Sequence, residues 1–258
     1  MTHRRRCRRA YWQLWEWHRA AAAVFAGVLL TNASIAAIAG TIDDCNQDNS
    51  APLVVRACSA LIADTKTDPS ERGRIYMLRG VAWMKEEEPA AAVSDFTRAI
   101  NVDASNAGAI RGRAQAYAML GKHELAVADW SRLVDIAPNQ EGYYRNRGAA
   151  NLAAGKSEAA MADYTRALEL DPKSLEAYIG RASVYERLEN RNQALSEFAT
   201  ALAINPGYIP AYWAKAQMAE RWGDSKLAIE SYTTLLNYNG VYWHARKALQ
   251  RLGINHQP

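Results

Sequence analysis

The sequence predicts an all-α fold built from stacked helix-turn-helix repeats. Three observations support this prediction: one pattern recurs every 34 residues, each copy spaces its apolar residues as a helix does, and a turn signal divides each copy into halves. The chain has 258 residues, 49% of them hydrophobic, and is therefore long enough to bury a sizeable core. Only three Phe and as many as fifteen Gly argue against an all-β fold.

The repeat is visible in five aligned octets, each of which starts 34 residues after the previous one. They read YMLRGVAW, IRGRAQAY, YRNRGAAN, YIGRASVY and YWAKAQMA, and they start at positions 76, 110, 144, 178 and 212. A second series keeps the same step, with Ala at positions 92, 126, 160, 194 and 228 and an aromatic residue four positions later. Because two series agree over five copies, chance does not account for the pattern.

Residues 141–174 show why one copy is expected to be a helical hairpin. Ala160 and Tyr164 lie four residues apart and therefore share one face of a helix. Gly155 supplies a stop between the two halves, and Pro172 ends the second half. A single hairpin cannot bury its apolar face alone, so neighbouring copies must stack into a solenoid.

This pattern resembles the tetratricopeptide repeat family, because the period, the small residues, the aromatic residue and the Pro near the end of three copies fall on the family's positions. The resemblance implies a right-handed α-solenoid of about five repeats at residues 73–106, 107–140, 141–174, 175–208 and 209–242. It also implies a degenerate N-terminal unit within residues 40–72 and a capping helix with a tail at residues 243–258.

Residues 1–39 have the layout of an export signal. They hold six of the 31 basic residues and one of the 27 acidic residues, leaving 25 basic and 26 acidic residues in the rest of the chain. The basic charge therefore gives no reason to expect a nucleic-acid partner. An apolar stretch and the small-x-small sequence AIA at 37–39 follow the arginines, which is typical of a signal peptide cleaved after Ala39.

The alternative is an uncleaved signal anchor in which residues 20–39 cross a membrane, the only membrane contact expected. Both interpretations place the rest of the chain outside the cytoplasm. The protein would then be periplasmic or secreted, or else anchored in the inner membrane with its repeats outside the cytoplasm.

Cysteine usage agrees with export. Cys7 lies in the predicted leader, which leaves Cys45 and Cys58 as an even pair in the mature chain. In an oxidising compartment this pair is expected to form a disulfide that stabilises the fold by about 3 kcal/mol. The alternative is two free thiols, with Cys58 simply a small core residue.

A charged ladder accompanies the repeat. Each of four first helices carries an Arg, and an acidic residue follows it sixteen positions later on the second helix. The two positions lie level in an antiparallel hairpin, where a carboxylate can accept two hydrogen bonds from one guanidinium. We therefore expect four interhelical ion pairs rather than an anion site: Arg79 with Asp95, Arg113 with Asp129, Arg147 with Asp163, and Arg181 with Glu197. In the fifth copy the pair becomes Lys215 and Ser231.

The family geometry implies that exposed positions on the first helices line a concave groove for an extended peptide or a partner helix. The repeat pattern assigns no acidic partner to Arg145, and the family geometry implies that Arg145 points into this groove. The alternative is that Arg111 and Arg145 are simply solvated and that Trp213 packs on the next repeat. The groove positions that the resemblance implies are Met77, Arg111, Gln115, Arg145, Asn146, Ile179, Ser183, Trp213 and Gln217.

The sequence contains no constellation that predicts catalysis, a cofactor or a metal site. His123, His244 and His256 lie far from a candidate nucleophile, and no Cys/His cluster has zinc spacing. The expected function is a non-enzymatic scaffold of the cell envelope that binds a protein or peptide partner. The alternatives are an assembly or self-association component, and an unrecognised enzyme.

Overall fold

The computed structural model describes residues 44–45 and 50–254, and all regular secondary structure in these ranges is α-helical. The all-α fold of helical hairpins predicted from the sequence is therefore confirmed. The predicted export signal at residues 1–39, together with Cys7, lies outside the described residues. Within the described ranges no helix combines the length and the apolar character needed to cross a membrane.

The chain divides into two compact units between Ala104 and Ser105. The first unit contains three described helices in sequence order: α1 packs against α2, and α2 forms a hairpin with α3. A disulfide joins Cys45 to Cys58 with their Cα atoms 5.1 Å apart, and both residues are buried. The three helices are α1 (Ala51–Ala63), α2 (Pro69–Lys85) and α3 (Pro89–Val102).

The second unit contains four successive hairpins and a shorter final helix. The second helix of each hairpin packs against the first helix of the next, and the last hairpin packs against the final helix. This is the stacking that a repeat with one apolar face requires. The helices are α4 (Ala107–Met119), α5 (His123–Ile136), α6 (Glu141–Ala153), α7 (Ser157–Leu170), α8 (Leu175–Arg187), α9 (Arg191–Ile204), α10 (Ile209–Arg221), α11 (Ser225–Tyr238) and α12 (Trp243–Arg251).

Every hairpin turn places one residue in the left-handed backbone region, at positions 87, 121, 155, 189 and 223. Gly occupies three of these positions, whereas Glu87 and Glu189 adopt φ of 59° and 60°. The next residue closes the first helix: the Lys156 amide, for example, donates to the Asn151 carbonyl at 2.8 Å. Because the turn depends on this backbone geometry, Glu is tolerated at a cost of roughly 1–2 kcal/mol.

Tyr164 on α7 shows how closely the helices of the second unit approach one another. Its ring is 4% exposed, and a Cβ atom added to Gly180 on α8 would lie 2.2 Å from its Cε1 atom. On Gly148 the corresponding contact is 3.3 Å. Burial also raises the pKa of Tyr164 to about 12. Because of the 2.2 Å contact, a side chain at position 180 would push α8 away from α7.

We predict that Gly180→Ala destabilises the protein by about 1–3 kcal/mol, because its methyl group overpacks against the Tyr164 ring. Gly142→Ala is the matched control. Its Cβ meets only Arg145 Nη2 at 3.8 Å, so the gain in helix propensity should stabilise the protein by about 0.5–1 kcal/mol. Urea unfolding of both variants measures the difference, and a Gly180→Ala protein as stable as the control would contradict the close approach.

Candidate functional site

The four interhelical pairs of an Arg and an acidic residue, each of which we call a rung, are bidentate ion pairs in the structure. In the first unit Arg79 donates from Nε and Nη2 to the two oxygens of Asp95, both at 2.7 Å. In the second unit the Nε and Nη2 distances are 2.8 and 2.7 Å for Arg113–Asp129, 3.0 and 2.6 Å for Arg147–Asp163, and 3.0 and 3.1 Å for Arg181–Glu197. All four carboxylates are buried, which makes the arginines their necessary partners.

The Arg147 rung also connects neighbouring hairpins. Its Nη1 donates to Ser131 Oγ on α5 at 3.3 Å, while Asn151 Nδ2 adds a 2.9 Å hydrogen bond to Asp163. The guanidinium carbon lies 5.5 Å from the centre of the Tyr144 ring. The hydrogen bond to Asp163 raises the pKa of Arg147 further above its usual value. With these partners the guanidinium holds the hairpins together and is not presented to an anionic ligand.

The fifth repeat carries a different arrangement at these positions. Ser231 is buried, and its hydroxyl donates to the Leu227 carbonyl of its own helix at 2.8 Å. Among the described residues no ion pair joins α10 to α11 at this level. This repeat therefore depends on apolar and aromatic packing where the others use a rung.

The expectation that Arg145 lacks an acidic partner was wrong. Its Nε donates to Glu141 Oε1 at 3.1 Å, one turn earlier on α6, and the same oxygen accepts from Ser174 Oγ at 2.7 Å. An acidic residue four positions before an Arg on one helix is a recognised pairing, so the sequence contained this signal. The repeat logic missed it because the pair lies within one helix rather than across a hairpin.

Glu176 on α8 adds a second acid to the surroundings of Arg145. Tyr208 donates a 2.6 Å hydrogen bond to Glu176, which lowers the pKa of that carboxyl, and the Arg145 charge acts in the same direction. Burial, reinforced by the same hydrogen bond, raises the pKa of Tyr208 to about 12. The charge of Arg145 is therefore largely compensated, and Arg111 on α4 is the more exposed cation of the two.

The other predicted groove positions differ in whether their side chains are free to contact a ligand. Asn146 Nδ2 donates to the Gly142 carbonyl at 2.6 Å and Ser183 Oγ to the Ile179 carbonyl at 3.1 Å, so both bond to their own helices. Met77 is half-buried on α2 of the first unit. In the second unit the first helices α6, α8 and α10 contact one another in turn. We call the following positions the first-helix surface: Arg111, Gln115, Arg145, Asn146, Ile179, Ser183, Trp213 and Gln217.

A second set of ion pairs, which sequence reasoning missed, joins the ends of first helices to one another. Arg221 donates from Nε and Nη2 to Glu186 on α8, both at 2.8 Å. Arg251 of α12 pairs with Glu220 of α10 at 2.6 Å. The sequence contained a signal for these two ion pairs, because Glu186 and Glu220 lie 34 residues apart, at the same position of successive repeats. This signal was weak because only two of the five copies carry an acidic residue at that position.

Trp213 and Gln217 line a cavity of about 530 Å³ between α10, α11 and α12. The Trp213 ring packs 5.3 Å from Tyr232 and 6.1 Å from His244, centre to centre. Trp213 therefore packs against α11, and it also lines this cavity. We call this site the C-terminal cavity; its wall consists of Trp213, Gln217, Glu220, Arg221, Tyr232, Trp243, His244, Lys247, Ala248 and Arg251.

The wall of the C-terminal cavity carries three cations and one acid. Arg221 and Arg251 have carboxylate partners, as described above. Lys247 lies 6.0 Å from the centre of the Trp243 ring and pairs with no acid in the described part of the chain. In residues 44–45 and 50–254, no group of three or more His, Cys, Asp and Glu is arranged to hold a metal ion.

The Arg181–Glu197 rung gives a direct test of the buried ion pairs. We predict that Glu197→Ala costs about 3 kcal/mol of unfolding free energy, because it leaves a largely buried guanidinium without its carboxylate. The double variant Arg181→Leu with Glu197→Leu should lose less, since no charge is left unpaired. Denaturant unfolding of both variants checks the order, and a double variant clearly less stable than Glu197→Ala would contradict it.

The chain matches known proteins in its repeat and in its fold. A family profile described as the tetratricopeptide repeat matches residues 151–218. No curated protein sequence matches the chain. A thermophilic tetratricopeptide repeat protein of Thermus thermophilus is similar in structure, with 21% identity, a TM-score of 0.59, and coverage of 70% of this chain and 98% of that one.

Two further solved structures share the fold. A tetratricopeptide repeat protein of Parabacteroides merdae is 19% identical with a TM-score of 0.65, covering 79% of this chain and 84% of that one. YrrB, described as a tetratricopeptide repeat protein with an unusual peptide-binding site, is 18% identical with a TM-score of 0.50, covering 76% and 99%. The profile match, these neighbours and the 34-residue step agree: residues 151–218 carry tetratricopeptide repeats, and the described hairpins have the fold of tetratricopeptide repeat proteins.

Proposed function

We propose that the protein is an exported, non-enzymatic interaction scaffold that binds an extended peptide segment of a partner protein along the first-helix surface of the second unit. One observation carries the proposal: Trp213 and Gln217 belong to this surface and also open onto the C-terminal cavity. Trp and Arg are the residues most often found at the energetic centres of interfaces. The peptide-binding site described for YrrB, which shares the fold, is consistent with this use.

Export is supported by the disulfide. Cys45 and Cys58 are bonded and buried in the first unit, and structural disulfides persist in oxidising compartments. The arginine-rich leader and the apolar stretch after it support the same location. We propose a periplasmic or secreted protein, with anchoring in the inner membrane through residues 20–39 as the alternative.

We predict that Arg111→Glu weakens partner capture from an extract of the cell envelope. The residue is exposed on α4, so the reversed charge should alter binding and leave the fold intact. Lys173→Glu is the matched control, since it makes the same charge change at an exposed position outside the first-helix surface. The measurement is affinity capture with both variants, checked by circular dichroism. Identical partner sets for wild type and Arg111→Glu would overturn the assignment of this surface.

A second candidate function, self-association, is favoured by the apolar residues exposed near the end of the second unit. Tyr238 is 52%, Val241 84% and Trp243 60% exposed. If this patch joins two copies, gel filtration should show an oligomer that grows with concentration, and Val241→Asp should return it to monomer. A monomer at all concentrations would exclude this function and leave the scaffold proposal in place.

A further inference from the structure

We infer that the C-terminal cavity accepts an acidic segment of the partner peptide, with a carboxylate next to an aromatic side chain. This inference rests on the proposed function and names the ligand chemistry of its site. The cavity, at about 530 Å³, falls within the range of small-ligand pockets and has room for neighbouring side chains of a peptide.

The charges of the wall favour a carboxylate. Arg251 is occupied by both oxygens of Glu220, and Arg221 is occupied by Glu186 outside the wall. This leaves Lys247, whose ammonium has three donors and pairs with no acid in the part of the chain that the structure describes. An exposed lysine alone is usually only solvated. Here it stands in a concave wall that has a formal excess of positive charge, so a guest carboxylate gains a partner and a favourable field.

The rings of the wall favour an aromatic neighbour for that carboxylate. Trp243 is 60% exposed, and its ring centre lies 3.6 Å from that of His244. Trp213 presents a third ring to the same space, 6.1 Å from His244. Aromatic rings prefer offset or edge contacts at centre distances of about 4.5–7 Å, so the exposed ring of Trp243 offers a surface for a guest ring. Contact with a guest ring would explain why Trp243 is largely exposed at the C-terminal cavity.

The cavity is continuous with the surface proposed for the peptide. Trp213 and Gln217 lie both on the first-helix surface and in the cavity wall, and Arg111 adds an exposed cation further along that surface. A peptide that follows the first helices therefore brings its side chains to the cavity, and the exposed Arg111 favours an acidic residue further along that peptide.

Two isosteric probes test this inference: N-acetyl-Phe-Glu-amide and N-acetyl-Phe-Gln-amide. They have nearly the same shape, but the second has a neutral amide in place of the charged carboxylate. Binding to the purified ¹⁵N-labelled protein is followed by the indole N–H signals of Trp213 and Trp243, assigned with the variants Trp213→Phe and Trp243→Phe. We expect the Glu probe to shift these signals with a dissociation constant about fivefold lower than that of the Gln probe, a ratio that falls as salt is raised.

Two variants identify the groups responsible. Lys247→Gln should bring the Glu and Gln probes to nearly equal affinity, whereas Lys226→Gln, an exposed change on α11 outside the wall, should leave the ratio unchanged. Trp243→Ala should weaken both probes. Equal binding of the two probes to wild type would overturn the carboxylate while leaving peptide binding, and so the scaffold function, intact. Absence of any shift at either indole would overturn the cavity itself, and the Arg111→Glu capture experiment would then decide the scaffold function separately.

Discussion

The bidentate contact between an arginine on the first helix and a buried carboxylate on the second is the constraint on which each of four hairpins depends. A carboxylate removed from water without a partner costs several kcal/mol, so the hairpin closes favourably only where the guanidinium lies level with it. That alignment places the small residue of the first helix against the aromatic residue of the second, as Gly148 lies against Tyr164. The rung therefore selects the register, and apolar packing supplies most of the stabilising area.

The fifth repeat lacks this rung, and it is also where the C-terminal cavity opens. Ser231 bonds to its own helix, and the pairs Glu186–Arg221 and Glu220–Arg251 lie nearer the surface. Exposed ion pairs contribute about 0–1 kcal/mol each, far less than a buried pair loses when broken. Docking of α12 therefore relies on apolar packing, in which Ala245, Ala248 and Leu249 are buried against α10 and α11. Trp213 packs against this core and also lines the C-terminal cavity.

The helices and rungs could be predicted from the sequence because both follow from periodicity. A 34-residue step identifies hairpins, and an acid sixteen residues after each arginine identifies a cross-hairpin pair, as with Arg147 and Asp163. The C-terminal cavity could not be predicted in this way, because its wall combines α10 and α11 with α12, which lies beyond the fifth 34-residue copy. Arg145 was misjudged because its partner Glu141 lies within the same helix.

The left-handed residue at positions 87, 121, 155, 189 and 223 falls at the midpoint between each arginine position and the position sixteen residues beyond it. In the four hairpins that have an ion pair, the two charged residues therefore lie eight positions before and eight positions after the turn residue. One inserted residue in either arm would rotate one partner by about 100° around its helix and carry it to another face. The ion pair therefore requires a fixed number of residues on each side of the turn in its own hairpin. A change of length in a loop between hairpins, by contrast, leaves both partners of each of these four pairs in register.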